Sequence, residues 1–549
     1  TLSSSSAASD VYKRQSQSGA GMSGIVDCEQ RIDFNFALSS GYELTVAMED
    51  YLDYVLDLPE TRVVGLFLET SRYPQKLIAA FKKAIARNIP IVVLKVGRTA
   101  LAAEMALSHS GALAGTDKSY SAVFDRYGVQ RVEDMDQLAT ALIMFAQPQA
   151  PAAGGIACLH DSGGERQLLI DLADQYSVPL ARLDAPILDR LKGLLDPGLP
   201  AVNPLDGWGA GGGDAPANMA ACFTALLEST DTALGAVVHD RGPNSEVYPS
   251  YMEYLHQAQG ATGKPVFLVA NRQGSGSDSL AITSTQGGFP VIDGVSQFLV
   301  GARCLLDYRD FQQQPAQRLP VLDAEKLAHW RQHLQSQQQV SEALASQFLA
   351  DFDIPMVVGT EVATESQLVK AAGLLSYPLV LKTAASGIAH KSDQGGVILN
   401  IISQAELLEA YQDLSHRLGS AAMVAPMVEV QGVEMILGIS TDKQFGPVVV
   451  LGFGGLYAEM LKDTTVLLPP FDSASAVEAI GRLKMSPMLA GVRGSSPVDV
   501  QAYAEAAARL SVLAVEFADL IAEIDINPVK VLANGCLGLD ALLVKHQPG

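Results

Sequence analysis

Two unbroken apolar runs, Val63-Val64-Gly65-Leu66-Phe67-Leu68 and Ile89-Pro90-Ile91-Val92-Val93-Leu94-Lys95, flank a stretch from Tyr73 to Asn88 with helical spacing and lysines on its outer side. A strand with one wet face alternates polar and apolar residues. A continuous apolar run instead fits a parallel strand covered by helices on both faces. The order strand, helix, strand therefore points to an open α/β sheet, in which ligands collect beyond the carboxyl ends of the strands. Three segments fall at such ends: the Ser18-Gly19 loop, Glu69, and the run Ser108-His109-Ser110-Gly111-Ala112-Leu113-Ala114-Gly115.

The last of these is chemically the most specific. A histidine among glycines and hydroxyls has room for a phosphoryl group on its ring, and backbone N–H groups nearby, as at Ser110 and Gly111, can bind its oxyanions. At 549 residues the chain exceeds one core, and about three domains are expected. A second α/β unit is expected from about Gly155 to Tyr308, with strands at Gly155–Leu159, Gly235–His239 and Pro265–Ala270. His160-Asp161-Ser162 follows its first strand, but adjacent side chains on an extended segment point to opposite faces, which argues against a Ser-His-Asp hydrolase. Residues 311–339 are glutamine-rich and read as a partly helical linker. The Ser/Ala-rich residues 1–15 read as a non-native or disordered tail with no strand of their own. The expected division is 1–15, 16–148, 149–310, 311–339 and 340–546.

The third domain has another order. Pro378-Leu379-Val380-Leu381-Lys382 is an apolar strand ending in lysine, a point charge that can reach a phosphate. The loop from Ala384 to Gly396, with His390, Lys391, Gly395 and Gly396, supplies N–H groups for further phosphates. Asn527 and Asp540 are oxygen ligands expected on adjacent strands, suited to Mg²⁺, with Asp525 and Glu523 adding negative charge. Arg493 has the forked donors that fit a transferred phosphate. Separately each signal is weak, and their order carries more weight.

A net charge of −22 argues against nucleic acid or anionic membrane as a partner. No apolar run approaches the ~20 residues of a membrane span. Five scattered cysteines (Cys28, Cys158, Cys222, Cys304, Cys536), never in CxxC spacing, read as buried thiols of a cytoplasmic protein.

The ordered strings resemble the NDP-forming acyl-CoA synthetases, the family of ADP-forming acetate–CoA ligase and succinyl-CoA synthetase. They include Ser16-Gln17-Ser18-Gly19-Ala20, Leu94-Lys95-Val96-Gly97-Arg98, the His109 run, Ala389-His390-Lys391-Ser392-Asp393-Gln394-Gly395-Gly396, and Asp525-Ile526-Asn527-Pro528. The resemblance implies an α/β fold of two flavodoxin-like parallel-sheet domains followed by an ATP-grasp domain (α+β). It implies formation of acyl-CoA, ADP and phosphate from a carboxylic acid, CoA and ATP through an acyl phosphate. Carried over, it makes His109 the phosphohistidine, Glu69 its orienting acid, and Ser18-Gly19 the phosphoryl-binding helix start. His390 becomes a relay, and Asn527 and Asp540 the Mg²⁺ ligands. The family's CoA-binding domain has no counterpart here, so the chain is expected to be a fragment or to need a separate CoA-binding subunit. A homo-oligomer is also expected. His160-Asp161-Ser162-Gly163-Gly164-Glu165-Arg166 stands where acetate-type members carry an Asn-Ala-Gly-Gly-Pro-like turn, which leaves the acid open, an aryl acid included. The alternatives are an ATP-grasp carboxylate–amine ligase, which has no use for His109, and a non-catalytic nucleotide-binding protein.

Overall fold

The computed structural model describes residues 12–16, 19–26, 29–99, 101–102, 116–209, 214–240, 248–272, 278–385, 394–428, 432–455, 463–491 and 496–547. They form two compact units, Thr1–Asp117 with Phe124–Pro315, and Lys118–Val123 with Ala316–Gly549.

The first unit opens with β1 (Tyr12–Ser16), α1 (Gly19–Val26), β2 (Phe34–Ser39), α2 (Met48–Asp57), β3 (Val63–Leu68), α3 (Pro74–Ala86), β4 (Ile91–Lys95), β5 (Gln130–Val132) and α4 (Met135–Phe145). All five strands run parallel in the order β2-β1-β3-β4-β5. Every residue of β4 is buried, as its apolar run requires. Gly65 lets α4 approach closely: a Cβ there would lie 2.9 Å from a Leu142 methyl carbon.

The expected tail is corrected here. Tyr12–Ser16 is a strand, paired on one side with β2 and on the other with β3. Its sequence, Tyr-Lys-Arg-Gln-Ser, has no strand periodicity. Neighbours on both sides satisfy its backbone N–H and C=O groups, and that pairing, not apolar patterning, makes it a strand.

A second parallel sheet follows, with β6 (Gly155–His160), α5 (Gly163–Gln175), β7 (Leu205–Asp206), β8 (Thr232–His239), β9 (Val266–Ala270), β10 (Val291–Asp293) and α6 (Val295–Gln313), in the order β10-β9-β8-β6-β7. Val63, Val92 and Leu142 of the first sheet region share one core with Ile156, Phe267 and Phe298 of the second. About 3 kcal/mol would be lost on truncating Leu142 to Ala in such a core.

In the second unit, α7 (Ala324–Ser336) lies inside the expected linker. Its Trp330 and Leu334 are buried in the core, the Trp330 ring 5.3 Å from that of Phe348, and its indole Nε1–H donates to Asp351 Oδ2 at 2.9 Å. The segment is therefore part of a packed body, and α6 runs past the expected boundary at 310. Next come α8 (Glu342–Asp351), β11 (Thr360–Val362), β12 (Leu379–Thr383), β13 (Val397–Ile401) and β14 (Ala422–Pro426), antiparallel in the order β11-β14-β12-β13. A larger antiparallel sheet holds β15 (Val433–Asp442), β16 (Gly446–Phe453), β17 (Thr464–Leu467), β18 (Ile521–Val531), β19 (Cys536–Gly538) and β20 (Ala541–Lys545). The four cysteines among the described residues, Cys158, Cys222, Cys304 and Cys536, are buried free thiols. No helix among the described residues is long and apolar enough to cross a membrane.

Candidate active site

In the first sheet the chain reverses its direction of growth between β1 and β3, the switch point where an open α/β sheet offers a crevice. Gly19 begins α1 directly beyond β1, and Glu69 follows β3. The Glu69 segment is clamped twice. From β4, the buried Lys95 ammonium donates to the Glu69 carbonyl at 2.7 Å and to the Val96 carbonyl. From the first turn of α2, the buried Glu49 carboxylate accepts from the Ser71 hydroxyl, the Arg72 N–H at 3.0 Å and the Tyr73 N–H at 3.2 Å. Burial pushes the Lys95 ammonium down to about 8, helped by Arg131 and Arg98 and opposed by Asp117 and Glu69. Ser18, His109, Ser110 and Gly111 lie outside the described residues.

The second cluster forms in the other unit. Lys382 stands on β12, and its Nζ lies 3.3 Å from Asp540 Oδ2, with further bonds to Glu342 Oε1 at 2.6 Å and the Leu539 carbonyl at 3.1 Å. Asp540 sits in the connection between β19 and β20, not on a strand as expected. It nevertheless adjoins β18, because the Asn527 N–H donates to the Asp540 carbonyl at 3.3 Å. Asn527 and Asp525, two apart on β18, share a face, and their side chains are hydrogen-bonded. Burial pushes the Asp525 carboxyl up, and neighbouring Glu523 adds to the shift.

The β12–β13 pairing places Val397 opposite Lys382 and brings the glycines beside that strand end. Thr383 N–H donates to the Gly396 carbonyl at 2.7 Å, and Arg417 donates to the Gly395 carbonyl at 3.1 Å. Gly395 has φ +62°, a left-handed conformation that favours glycine. His390, Lys391 and Arg493 lie outside the described residues. The Asp540 carboxylate and Asn527 amide are hard oxygen donors of the type Mg²⁺ takes. Among the described residues no group of three His, Cys, Asp or Glu side chains converges as a metal site. Mg²⁺ held by few protein oxygens takes its remaining ligands from phosphate and water.

Beyond β6, the buried His160 has no hydrogen-bond partner on either ring nitrogen, and burial, with Arg166 nearby, pushes it down to about 4. Asp161 turns elsewhere, its Oδ2 accepting from the Tyr251 hydroxyl at 2.7 Å. This pairing leaves no Ser-His-Asp relay.

Residues 332–544 match the ATP-grasp domain family, and residues 15–145 match the succinyl-CoA ligase like flavodoxin domain. Trans-feruloyl-CoA synthase FCS1, from an unknown prokaryotic organism, is 30% identical over 92% of this chain and 72% of its own length. The chain belongs to the NDP-forming acyl-CoA synthetase family. In this family, the acetate–CoA ligase [ADP-forming] I subunit beta of Pyrococcus furiosus is 34% identical over 37% of this chain and 90% of its own. A solved structure of Ca. Korarchaeum cryptofilum dinucleotide forming acetyl-coenzyme A synthetase 1, in complex with coenzyme A, Ca-AMPCP and HgCl+, is 29% identical. It covers 41% of this chain and 100% of its own, with a TM-score of 0.38. Two acids that hold the candidate residues of this acyl-CoA synthetase family member, Glu49 beside the Glu69 segment and Glu342 on Lys382, escaped the sequence reading. Both are acids in the first turn of a helix, a position that is ordinarily read as a response to the helix dipole. Lys95 had a visible signal, a lysine ending an apolar strand, as at Lys382.

Proposed function

We propose that this chain is the phosphohistidine- and nucleotide-bearing part of an ADP-forming acid–CoA ligase, which joins a carboxylic acid to coenzyme A and converts ATP to ADP and phosphate. The observation that carries this reading is the meeting of Lys382 with Asp540 at 3.3 Å, beside Asn527: an ammonium and two hard oxygen donors in one ATP-grasp unit. Lys382, Lys391, Gly395 and Gly396 bind the phosphates of ATP, and Arg493 meets the group in transfer. Asn527 and Asp540 would hold Mg²⁺, which when bound neutralises phosphate charge.

His390 takes the γ-phosphoryl group first: a ring N–P bond forms as the P–O bond to ADP breaks. The group then passes to neutral His109, freeing the His390 ring. Glu69 holds the proton on the other nitrogen of His109 and so fixes the tautomer. Ser18, Gly19, Ser110 and Gly111 offer N–H groups to the phosphoryl oxygens. The acid's carboxylate oxygen next attacks phosphorus, the N–P bond breaks, and the acyl phosphate forms. The sulfur of CoA displaces phosphate from that intermediate. Positioning and charge neutralisation supply most of the rate in such transfers.

The ligands are thus the acid, ATP and CoA, and the partner is a CoA-binding subunit or domain. The separate beta subunit in Pyrococcus furiosus supports a divided arrangement, and we place the reaction in the cytoplasm. The ferulate- and acetate-specific names of the relatives leave the acid unassigned. The test is incubation with γ-labelled ATP and Mg²⁺. An acid-labile phosphoprotein is expected in the wild type, retained in His109→Ala, where the group stays on His390, and lost in His390→Ala. Absence of label in the folded wild type overturns the reading.

A further inference from the structure

Lys382 donates to three acceptors from two separate segments. The closest is Glu342 Oε1 at 2.6 Å, followed by the Leu539 carbonyl at 3.1 Å and Asp540 Oδ2 at 3.3 Å. The two carboxylates are not equivalent. The Glu342 side chain is 7% exposed and that of Lys382 11%, whereas Asp540 is 39% exposed. Water competes for Asp540 and scarcely for Glu342, so the Glu342 bond holds the ammonium more firmly. Glu342 is itself fixed, because it lies in the first turn of α8, whose start is capped by Ser341.

We propose that Glu342 is a positioning residue for Lys382. It holds the ammonium on β12 by the shorter bond, at 2.6 Å, and leaves Asp540 the longer contact at 3.3 Å. The proposal rests on the reading of Lys382 as a phosphate-binding group and goes beyond it, because Glu342 touches no phosphate in that reading. Two consequences follow from the geometry. A nucleotide phosphate meets an ammonium that is already oriented, so less side-chain freedom is lost on binding. Asp540 shares Lys382 with a closer carboxylate, so the ammonium competes less with a divalent cation for it. Without Glu342, Asp540 is the remaining carboxylate on the ammonium among the described residues, and the two draw closer at the expense of a divalent cation.

A bridge that served only to anchor α8 would behave otherwise. Its loss would weaken nucleotide binding by the same factor whether or not Lys382 were present. A double-mutant cycle separates the two cases. ADP binding is measured by calorimetry on the full chain, first in EDTA and then with increasing Mg²⁺. The samples are wild type, Glu342→Gln, Glu342→Asp, Lys382→Met and the Glu342→Gln/Lys382→Met pair, each checked for folding by thermal unfolding.

Glu342→Gln is expected to weaken ADP about tenfold in EDTA, the scale of removing one charge-assisted hydrogen bond. It is also expected to raise severalfold the Mg²⁺ concentration that gives half the tightening. Glu342→Asp falls between wild type and Glu342→Gln, which identifies the carboxylate as the active feature. In the Lys382→Met background, Glu342→Gln changes ADP affinity by less than about twofold, because there is no ammonium left to position. The proposal is overturned if folded Glu342→Gln binds ADP and responds to Mg²⁺ as wild type does, or if its penalty is undiminished without Lys382. If wild type itself binds no ADP, the nucleotide-binding reading of Lys382 fails, and the proposal fails with it. Wild-type binding with penalties that simply multiply removes the positioning role alone.

Discussion

Lys95 and Lys382 start from the same local sequence and end in different chemistry. Each stands at the end of a short apolar strand whose residues are all buried, one in a parallel sheet and one in an antiparallel sheet. Lys95 donates to the Glu69 and Val96 backbone carbonyls, and burial pushes it down to about 8. Lys382 has two carboxylates within 3.3 Å. The first lysine clamps a loop. The second faces carboxylates at the site proposed for a nucleotide. A lysine ending a strand is therefore an incomplete signal, and the groups that the fold brings to it complete it.

The strongest challenge to this contrast is Lys382→Met. It removes the charge-assisted hydrogen bonds to phosphate, and ADP affinity is expected to fall about 100-fold, on the order of 3 kcal/mol. A loss below threefold in calorimetry would put Lys382 in the same structural class as Lys95.

For Lys95 the expected signature is pH-dependent stability rather than binding. The folded chain releases this proton near 8, whereas the unfolded chain holds it to the ordinary 10.5. Between those values the unfolded state binds more protons, so stability rises with pH, by about 3 kcal/mol in total. Denaturant unfolding across pH 7.5 to 10 is expected to show this rise in wild type and not in Lys95→Met. An unchanged pH slope in the variant would mean that Lys95 is not the source.

Glu69→Gln sharpens the comparison from the loop that Lys95 holds. Lys95 grips the Glu69 carbonyl, so the backbone is expected to stay in place while the carboxylate is lost. Labelling of His109 from γ-labelled ATP should then slow about tenfold to 100-fold with unfolding unchanged. Equal labelling rates would remove Glu69 from the transfer. The smallest effect is expected from Glu49→Gln, which keeps an oxygen for the Ser71, Arg72 and Tyr73 donors but gives up the charge. About 1 kcal/mol of stability should be lost in thermal unfolding.

The fold was legible wherever periodicity is local. The apolar runs at Val63–Leu68 and Val266–Ala270 became buried parallel strands, because burial on both faces leaves its mark in consecutive residues. Two segments escaped for the opposite reason. Tyr12–Ser16 owes its place to backbone pairing with β2 and β3, which writes no pattern into side chains. Residues 324–336 are helical as their spacing around Leu327 to Leu334 implied, and what escaped is their packing, since Trp330 and Leu334 suffice to bury one face of a polar helix. In the candidate site, Lys382, Asn527 and Asp540 were legible as one ordered set, and the contact of Lys382 with Asp540 was not. Glu342 was invisible, since an acid in a first helical turn is ordinary helix chemistry.

What the sequence alone determined is the local inventory: which stretches are buried strands, where a lysine ends one, and where glycine permits a left-handed turn at Gly395. What only the tertiary structure decided is which charge faces which. Lys382 takes its partners from 40 residues before it and 157 after it. Coulombic pairing depends on distance through space and on the exclusion of water, and neither quantity is a property of neighbouring positions in the chain.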